Sequence, residues 1–138
     1  MKGDLIDVVH VLKGRRVADE RGWLHVGLGA SQLPPGVTFG ELYVIRSNQN
    51  GDRRGDHLHR SMDEWFTLVE GLAMLELYDP RTEERLSVRM DGKIPRTFRV
   101  PAGIAHCIVN TGSGPMTAVA WASAEHDPDD VVPCPTTF

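Results

Sequence analysis

Three histidines and a glutamate stand at a spacing that suits metal binding. From Gly51, five residues lead to His57; Leu58 separates it from His59, four more lead to Glu64, and six more to Gly71. A second block reads Pro101-Ala-Gly-Ile-Ala-His106-Cys-Ile-Val-Asn110. On an extended strand, residues two apart face the same side, so His57 and His59 can chelate one ion. A later strand can carry His106 to the same spot, with Glu64 as a harder oxygen ligand. Three neutral imidazoles and one carboxylate suit zinc, nickel, iron or manganese, with zinc the first choice. Such a set leaves one or two positions open, which makes a site catalytic instead of structural. A histidine pair alone would fit an ordinary surface or core strand; the glycines and proline at turn positions in two linked blocks favour metal. His10, His25 and His126 have no partner at ligand spacing and read as structural. Cys107 follows His106 on a strand and should point to the opposite face.

The elements that must position these residues read as strands and turns. Residues 39–46 alternate apolar Leu42 and Val44 with Glu41 and Tyr43, a period of two. Further strands are expected at 65–70, 72–78, 86–90, 97–100, 107–109 and 116–121, with a tight hairpin at Glu70-Gly71. Pro34-Pro35, Asn50-Gly51, Asp91-Gly92, Pro101 to Gly103 and Thr111 to Gly114 punctuate them. No segment holds a helical period for three turns; the best helical candidate, residues 61–66, is a poor one. The tail from His126 is rich in Pro and Asp and reads as an irregular strap or a frayed end. Short strands at this spacing indicate an all-β sandwich or barrel.

The 138 residues, 41% hydrophobic and 25% charged, fit one domain spanning 1–138. A chain of about this length can bury roughly two-thirds of its unfolded surface and needs no metal or disulfide to fold. The net charge of −4 argues against a nucleic-acid partner, whose phosphates reward a clustered basic face. No apolar run is long enough to span a membrane, and the acidic residues near the start break up any signal-peptide core. Two cysteines are too few for a disulfide framework. The default expectation is a soluble cytoplasmic protein.

The two histidine blocks resemble the paired motifs of the cupin superfamily, whose fold is a double-stranded β-helix, or jelly-roll barrel. The first block matches at every fixed position; in the second, Pro95 stands where a leading glycine is expected. The resemblance implies His57, His59, Glu64 and His106 as metal ligands. Three further segments narrow it. Asp19-Glu-Arg-Gly-Trp-Leu24 and Arg54-Gly-Asp-His57 resemble segments of nucleotide-sugar epimerases. Trp121-Ala-Ser-Ala-Glu-His-Asp127-Pro128 is similar to the close of the cupin domain in bifunctional capsular-polysaccharide enzymes, which pair it with a reductase. More distant likenesses are the metal-free dTDP-4-keto-sugar 3,5-epimerases, whose base is the histidine of R-G-x-H, and the 3,4-ketoisomerases, which usually lack a glutamate at the position of Glu64.

The resemblance implies a metal-assisted epimerase acting on a nucleotide-linked 4-keto-6-deoxy sugar, in cell-surface polysaccharide or deoxysugar biosynthesis. Taking a proton from carbon next to a ketone needs a base in reach and stabilisation of the enolate charge. Tyr43, Tyr78, Glu41 and Asp63 are candidates for the base, with Tyr43 preferred, and His57 takes that role if no metal binds. Twelve of the fifteen basic residues are arginine, whose planar fork matches phosphate oxygens. Arg21, Arg54 and Arg60 are the expected substrate-phosphate contacts. Trp23 is the expected nucleobase contact, whereas Trp65 and Trp121 read as core. The alternatives are an iron-dependent cupin dioxygenase and a non-catalytic sugar-binding cupin. A homodimer is expected, with residues 1–14 as an exchanged segment and 5–12 as its apolar strand. A separate reductase is an expected pathway partner.

Overall fold

The computed structural model describes residues 5–137. Two five-stranded antiparallel sheets face one another. The first runs in the order β1 (Val11–Lys13), β9 (Arg96–Val100), β6 (Glu64–Glu70), β11 (Met116–Ala122), β4 (Glu41–Ser47). The second runs β12 (Val131–Pro133), β5 (Arg53–His59), β10 (Ala105–Asn110), β7 (Leu72–Asp79), β8 (Glu84–Asp91). A separate ribbon pairs β2 (Arg15–Asp19) with β3 (Gly22–Val26). This is the expected jelly-roll barrel in a single domain.

Alternation along the strands builds the core. On β7, Ala73, Leu75 and Leu77 are buried while Leu72, Met74, Glu76 and Tyr78 are only half-buried. Met116, Ala118, Ala120 and Ala122 of β11 all turn inward. The small side chains of Ala118 and Ala120 leave space for Phe66, Leu68 and Ile108 in the same cluster. The hairpin from β6 to β7 turns at Gly71, with a φ of 86°. A Cβ there would lie 2.4 Å from the Pro115 carbonyl oxygen, so both conformation and space require glycine.

Asn110, the last residue of the second block, is a buried fastener. Its Nδ2 donates to Ser47 Oγ (3.2 Å) and the Gly114 carbonyl (2.9 Å), and its Oδ1 accepts from the Gly112 N–H (3.0 Å). It thus ties the end of β10 to the end of β4 and shapes the loop between β10 and β11.

Three local expectations are corrected. Residues 61–66 are not helical: a loop precedes β6, whose Glu64, Phe66 and Leu68 turn inward with a strand's period. Residues 5–12 are not one strand. Leu5–Val8 forms a helical turn, Leu5 and Val9 enter the chain's own core, and β1 pairs with β9 of the same chain. The tail is neither irregular throughout nor frayed: a 3-10 turn at Pro128–Asp130 leads into β12, which pairs with β5 across His57 to His59. The first four residues of the expected exchange segment, and Phe138 of the tail, lie outside the described residues. The ribbon strands β2 and β3 were not legible from periodicity because apolar Val17, Trp23 and Leu24 are exposed and break the inside–outside alternation. Strands β1 and β12 are too short to show a pattern.

Replacing Asn110 by Ala strands one buried donor–acceptor set and should destabilise the fold by about 2 kcal/mol. Urea unfolding followed by tryptophan fluorescence checks this; a midpoint equal to that of the parent would contradict the fastener role.

Candidate metal centre

The four expected ligands come together from both sheets. His57 and His106 lie opposite each other on β5 and β10, with ring centroids 5.0 Å apart. His59, two residues on, is 5.1 Å from the His57 ring and stacks at 5.9 Å on that of His106. Glu64 enters from β6 in the facing sheet and is fully buried. One candidate ligand atom from each of the four lies within 4.8 Å of all the others.

The donor set fits a metal. His59 Nδ1 meets Asp130 Oδ2 at 3.2 Å, and His106 Nδ1 meets the Ile104 carbonyl at 3.3 Å. Those acceptors place the protons on Nδ1 and leave the Nε2 lone pairs facing inward. Both Nε2 atoms lie beside Glu64 Oε1, at 2.8 and 3.3 Å. That buried oxygen nevertheless has no hydrogen bond. Converging lone pairs without protons between them are what a divalent cation satisfies. The other carboxylate oxygen accepts a short hydrogen bond from the Tyr43 hydroxyl.

Burial and charge set the protonation states of these groups. Burial, aided by the neighbouring His106 and His59, lowers His57 to about 4. Burial would lower His59 too, but the close Glu64 carboxylate and the Asp130 charge raise it. Glu64 is lowered despite a burial penalty, because the close His106 and His59 rings and the Tyr43 hydroxyl favour its ionised form. Tyr43 is raised, first by burial and then by the Glu64 charge beside it.

Two adjoining hollows open onto the cluster and share Tyr43 and His57. One, of about 270 Å³, also holds Arg54, Gly55, Phe66 and His106. The other, of about 330 Å³, adds Glu41, His59, Met62 and Glu64. A larger hollow of about 430 Å³ lies behind Trp65 and Trp121, on the far side of the first sheet, with His25 its only titratable side chain. The ionisable cluster, not the size of that hollow, marks the site.

The other singled-out residues divide. Tyr43 and Glu41 both face the site, as their alternation requires. Arg54 lines it and donates to the Arg46 carbonyl on β4 at 3.4 Å. Arg60 instead points to the tail, donating from Nε to the Asp129 carbonyl. Arg21 sits on the ribbon, where it grips Asp19 and lines a different groove with Trp23. The fold of one chain therefore brings neither Arg60 nor Arg21 into the hollows beside His57. Asp63 is committed to structure: it pairs with Arg99 at 2.7 Å and accepts from the Ala102 N–H. Tyr78 shares the outer face of β7 with Glu76, its ring covered by Arg85 at 4.2 Å. Cys107 turns away from the cluster, and burial pushes its thiol up to about 12.

Sequence reasoning missed Asp130. It orients His59 through Oδ2, while its Oδ1 accepts from the Ser61 N–H (2.8 Å) and Oγ (2.7 Å). The signal was the Asp-Pro step at Asp127-Pro128, which caps and opens the 3-10 turn carrying Asp130.

Two tests follow from this geometry. Asp130→Ala frees the His59 ring and should weaken zinc or cobalt binding about 10–100-fold, read by competition with a chromogenic chelator. In the metal-free protein, His57 stays neutral down to about 4 against an ordinary 6.5. Between those values the unfolded chain takes a proton that the folded chain does not, so stability falls as pH falls. His57→Asn should remove about 2 kcal/mol of that fall, a figure reduced for solvent screening of a half-buried ring. Urea titrations across the window give the answer, and an unchanged pH slope would contradict the assignment.

Comparison with known proteins gives the same fold. A dTDP sugar isomerase from Desulfovibrio desulfuricans G20 superposes with a TM-score of 0.81 at 19% identity, over 93% of this chain and 84% of that one. The dTDP-6-deoxy-D-glucose-3,5-epimerase RmlC from Legionella pneumophila, in complex with dTDP-4-keto-L-rhamnose, gives 0.78 at 20% identity, over 94% and 73%. The capsular polysaccharide assembling protein CapF from Staphylococcus aureus gives 0.66 at 24% identity; the match covers 70% of this chain and 27% of CapF. No curated protein matches by sequence. The family model for the polysaccharide biosynthesis C-terminal domain matches residues 18–132, and with these strands and this histidine cluster the chain belongs to that family.

Proposed function

We propose that the protein is a sugar-nucleotide epimerase, acting on a 4-keto-6-deoxy sugar by proton exchange beside the ketone. The observation that carries this reading is the pairing of a four-ligand cluster with Tyr43 on one wall of a cavity. Neighbours of this fold include the RmlC epimerase bound to a dTDP-keto sugar and a 3,4-ketoisomerase in complex with a TDP-4-keto sugar, which supports the substrate class.

His57, His59, Glu64 and His106 would hold a divalent ion, zinc before nickel, iron or manganese. When bound, it would supply Lewis acidity for the carbonyl oxygen of the substrate. The protein's own part is proton handling. The substrate C–H loses its proton to a base, its electron pair passes into the enolate, and a proton returns to the opposite face of the same carbon. Tyr43 keeps its hydroxyl proton because burial and Glu64 raise it, so it suits the return step. With all four ligands committed, the first proton must go to a second group, and Glu41 is the further carboxylate on the site wall. A metal-free site instead leaves neutral His57 as the base. Arg54 would contact the substrate diphosphate.

The remaining readings extend this one. Arg21, Arg60 and Trp23 join the substrate site only if a second chain or a change in the tail brings them there. A homodimer is supported by exposed Leu42 and Val44 on edge strand β4 and by Val17, Trp23 and Leu24 on a two-stranded ribbon outside both sheets. Light scattering tests it, and a monomer at micromolar concentration overturns it. We place the protein in the cytoplasm beside a separate reductase of the same pathway, which would consume the epimerised keto sugar. Among the described residues no helix is long and apolar enough to cross a membrane.

The decisive experiment incubates the protein with dTDP- and UDP-4-keto-6-deoxy sugars in deuterium oxide and follows the carbons flanking the ketone by NMR. Deuterium should enter one of them, and Tyr43→Phe should slow its entry about 10²–10⁴-fold. Plasma mass spectrometry of parent and Glu64→Ala identifies the ion. Stoichiometric iron with oxygen uptake and no deuterium entry would favour the dioxygenase instead, and binding without exchange a sugar-binding cupin.

A further inference from the structure

The strand that carries His57 breaks its alternation one residue earlier. Between His106 and Cys107 the register with β10 shifts: His106 pairs with His57, but Cys107 pairs with Gly55 and Ile108 with Arg54. Asp56 is therefore an extra residue, a β-bulge. Its φ is 58° and that of Gly55 is 128°, two left-handed residues in succession. A Cβ on Gly55 would lie 2.5 Å from the His106 carbonyl oxygen, so the bulge is pressed directly against the other histidine strand.

The bulge has a consequence for which side chains share the cavity. His57 faces inward, and unbroken alternation would send Arg54, three residues away, to the outer face. With Asp56 inserted, Arg54 pairs with buried Ile108 and lines the same hollow as His57, His106 and Tyr43. Arg53 takes the outward place instead, against Glu76 at 2.7 Å. The outer face then clamps the bulge. Arg53 holds both Asp56 oxygens at 3.0 Å. Thr136 of the tail donates to Asp56 Oδ1 from N and Oγ1, each at 3.1 Å. The Cys134 N–H donates to the Asp56 carbonyl at 2.9 Å.

We propose that Asp56 is a positioning residue: its clamped, left-handed bulge turns Arg54 into the cavity beside His57, so that one strand presents both an anion-binding and a metal-binding side chain. The ligand expected at Arg54, a diphosphate, rests on the function proposed above; the bulge and its clamp do not. A left-handed aspartate is uncommon and tolerated, so a residue without its carboxylate loses the clamp and also resists the backbone angle.

The test is a double-mutant cycle on thymidine diphosphate binding by calorimetry, using Asp56→Ala, Arg54→Ala and the pair, in the metal-loaded protein. Each single change should weaken binding about tenfold and the pair by no more than about tenfold, because Asp56 acts through Arg54. Asp56→Asn, which accepts the left-handed angle and keeps one acceptor for Thr136, should recover most of the affinity. Losses that multiply to about a hundredfold, or no loss in Asp56→Ala, would overturn the proposal. A second readout needs no ligand. In the free protein, NMR contacts between the Arg54 and Ile108 side chains should be present in the parent and in Asp56→Asn and lost in Asp56→Ala. Their persistence in Asp56→Ala overturns the proposal. A parent that shows them but binds no nucleotide disproves the substrate assignment alone.

Discussion

A carboxylate without solvent access, Glu64, is the constraint around which the site is built. A buried, ionised carboxylate costs several kcal/mol unless its charge is met by donors or a cation. The fold meets it from three other strands: His59 on β5, His106 on β10 and Tyr43 on β4. These contacts hold Glu64 in its ionised form. They also link the two sheets to each other through a buried polar cluster. The acceptors behind the histidines, Asp130 and the Ile104 carbonyl, fix which ring nitrogen faces inward. The cluster is thus preorganised from its outer contacts inward.

The two sheets divide the work. The sheet containing β6 and β4 supplies Glu64 and Tyr43, a carboxylate and a hydroxyl. The sheet containing β5 and β10 supplies all three imidazoles and Arg54. A pocket between them has a histidine cluster that could hold a cation beside a proton-bearing phenol, an arrangement suited to chemistry next to a carbonyl.

The C-terminal tail belongs to the site and not to its periphery. Residues 127–136 contribute a cap at Asp127, the His59 partner Asp130, a strand on the outer edge of β5, and the Thr136 clamp on Asp56. Both motif histidines of β5 are therefore braced by a segment some seventy residues away in the chain. Such long-range bracing stiffens a strand that would otherwise be exposed along its edge.

The clustering of His57, His59, Glu64 and His106 was legible in the sequence because its signals are local or periodic. His57 and His59 share a face through a two-residue spacing, and the strands around them alternate visibly at β4, β6, β7 and β11. Turn glycines and prolines mark the ends of those strands. Tyr43 and Glu41 were placed on the site wall by the same alternation. What the sequence could not decide rests on contacts distant in the chain or on broken periodicity. Asp63 remained a candidate base by sequence, behind Tyr43, but Arg99 and the Ala102 N–H take up its carboxylate. The tail looked irregular because a three-residue strand has too little pattern to read, and it gains its order from pairing with β5. Arg54 and His57 fall on opposite faces by counting; only the bulge at Asp56, pressed against β10 and clamped by residues from two other segments, puts them on the same one.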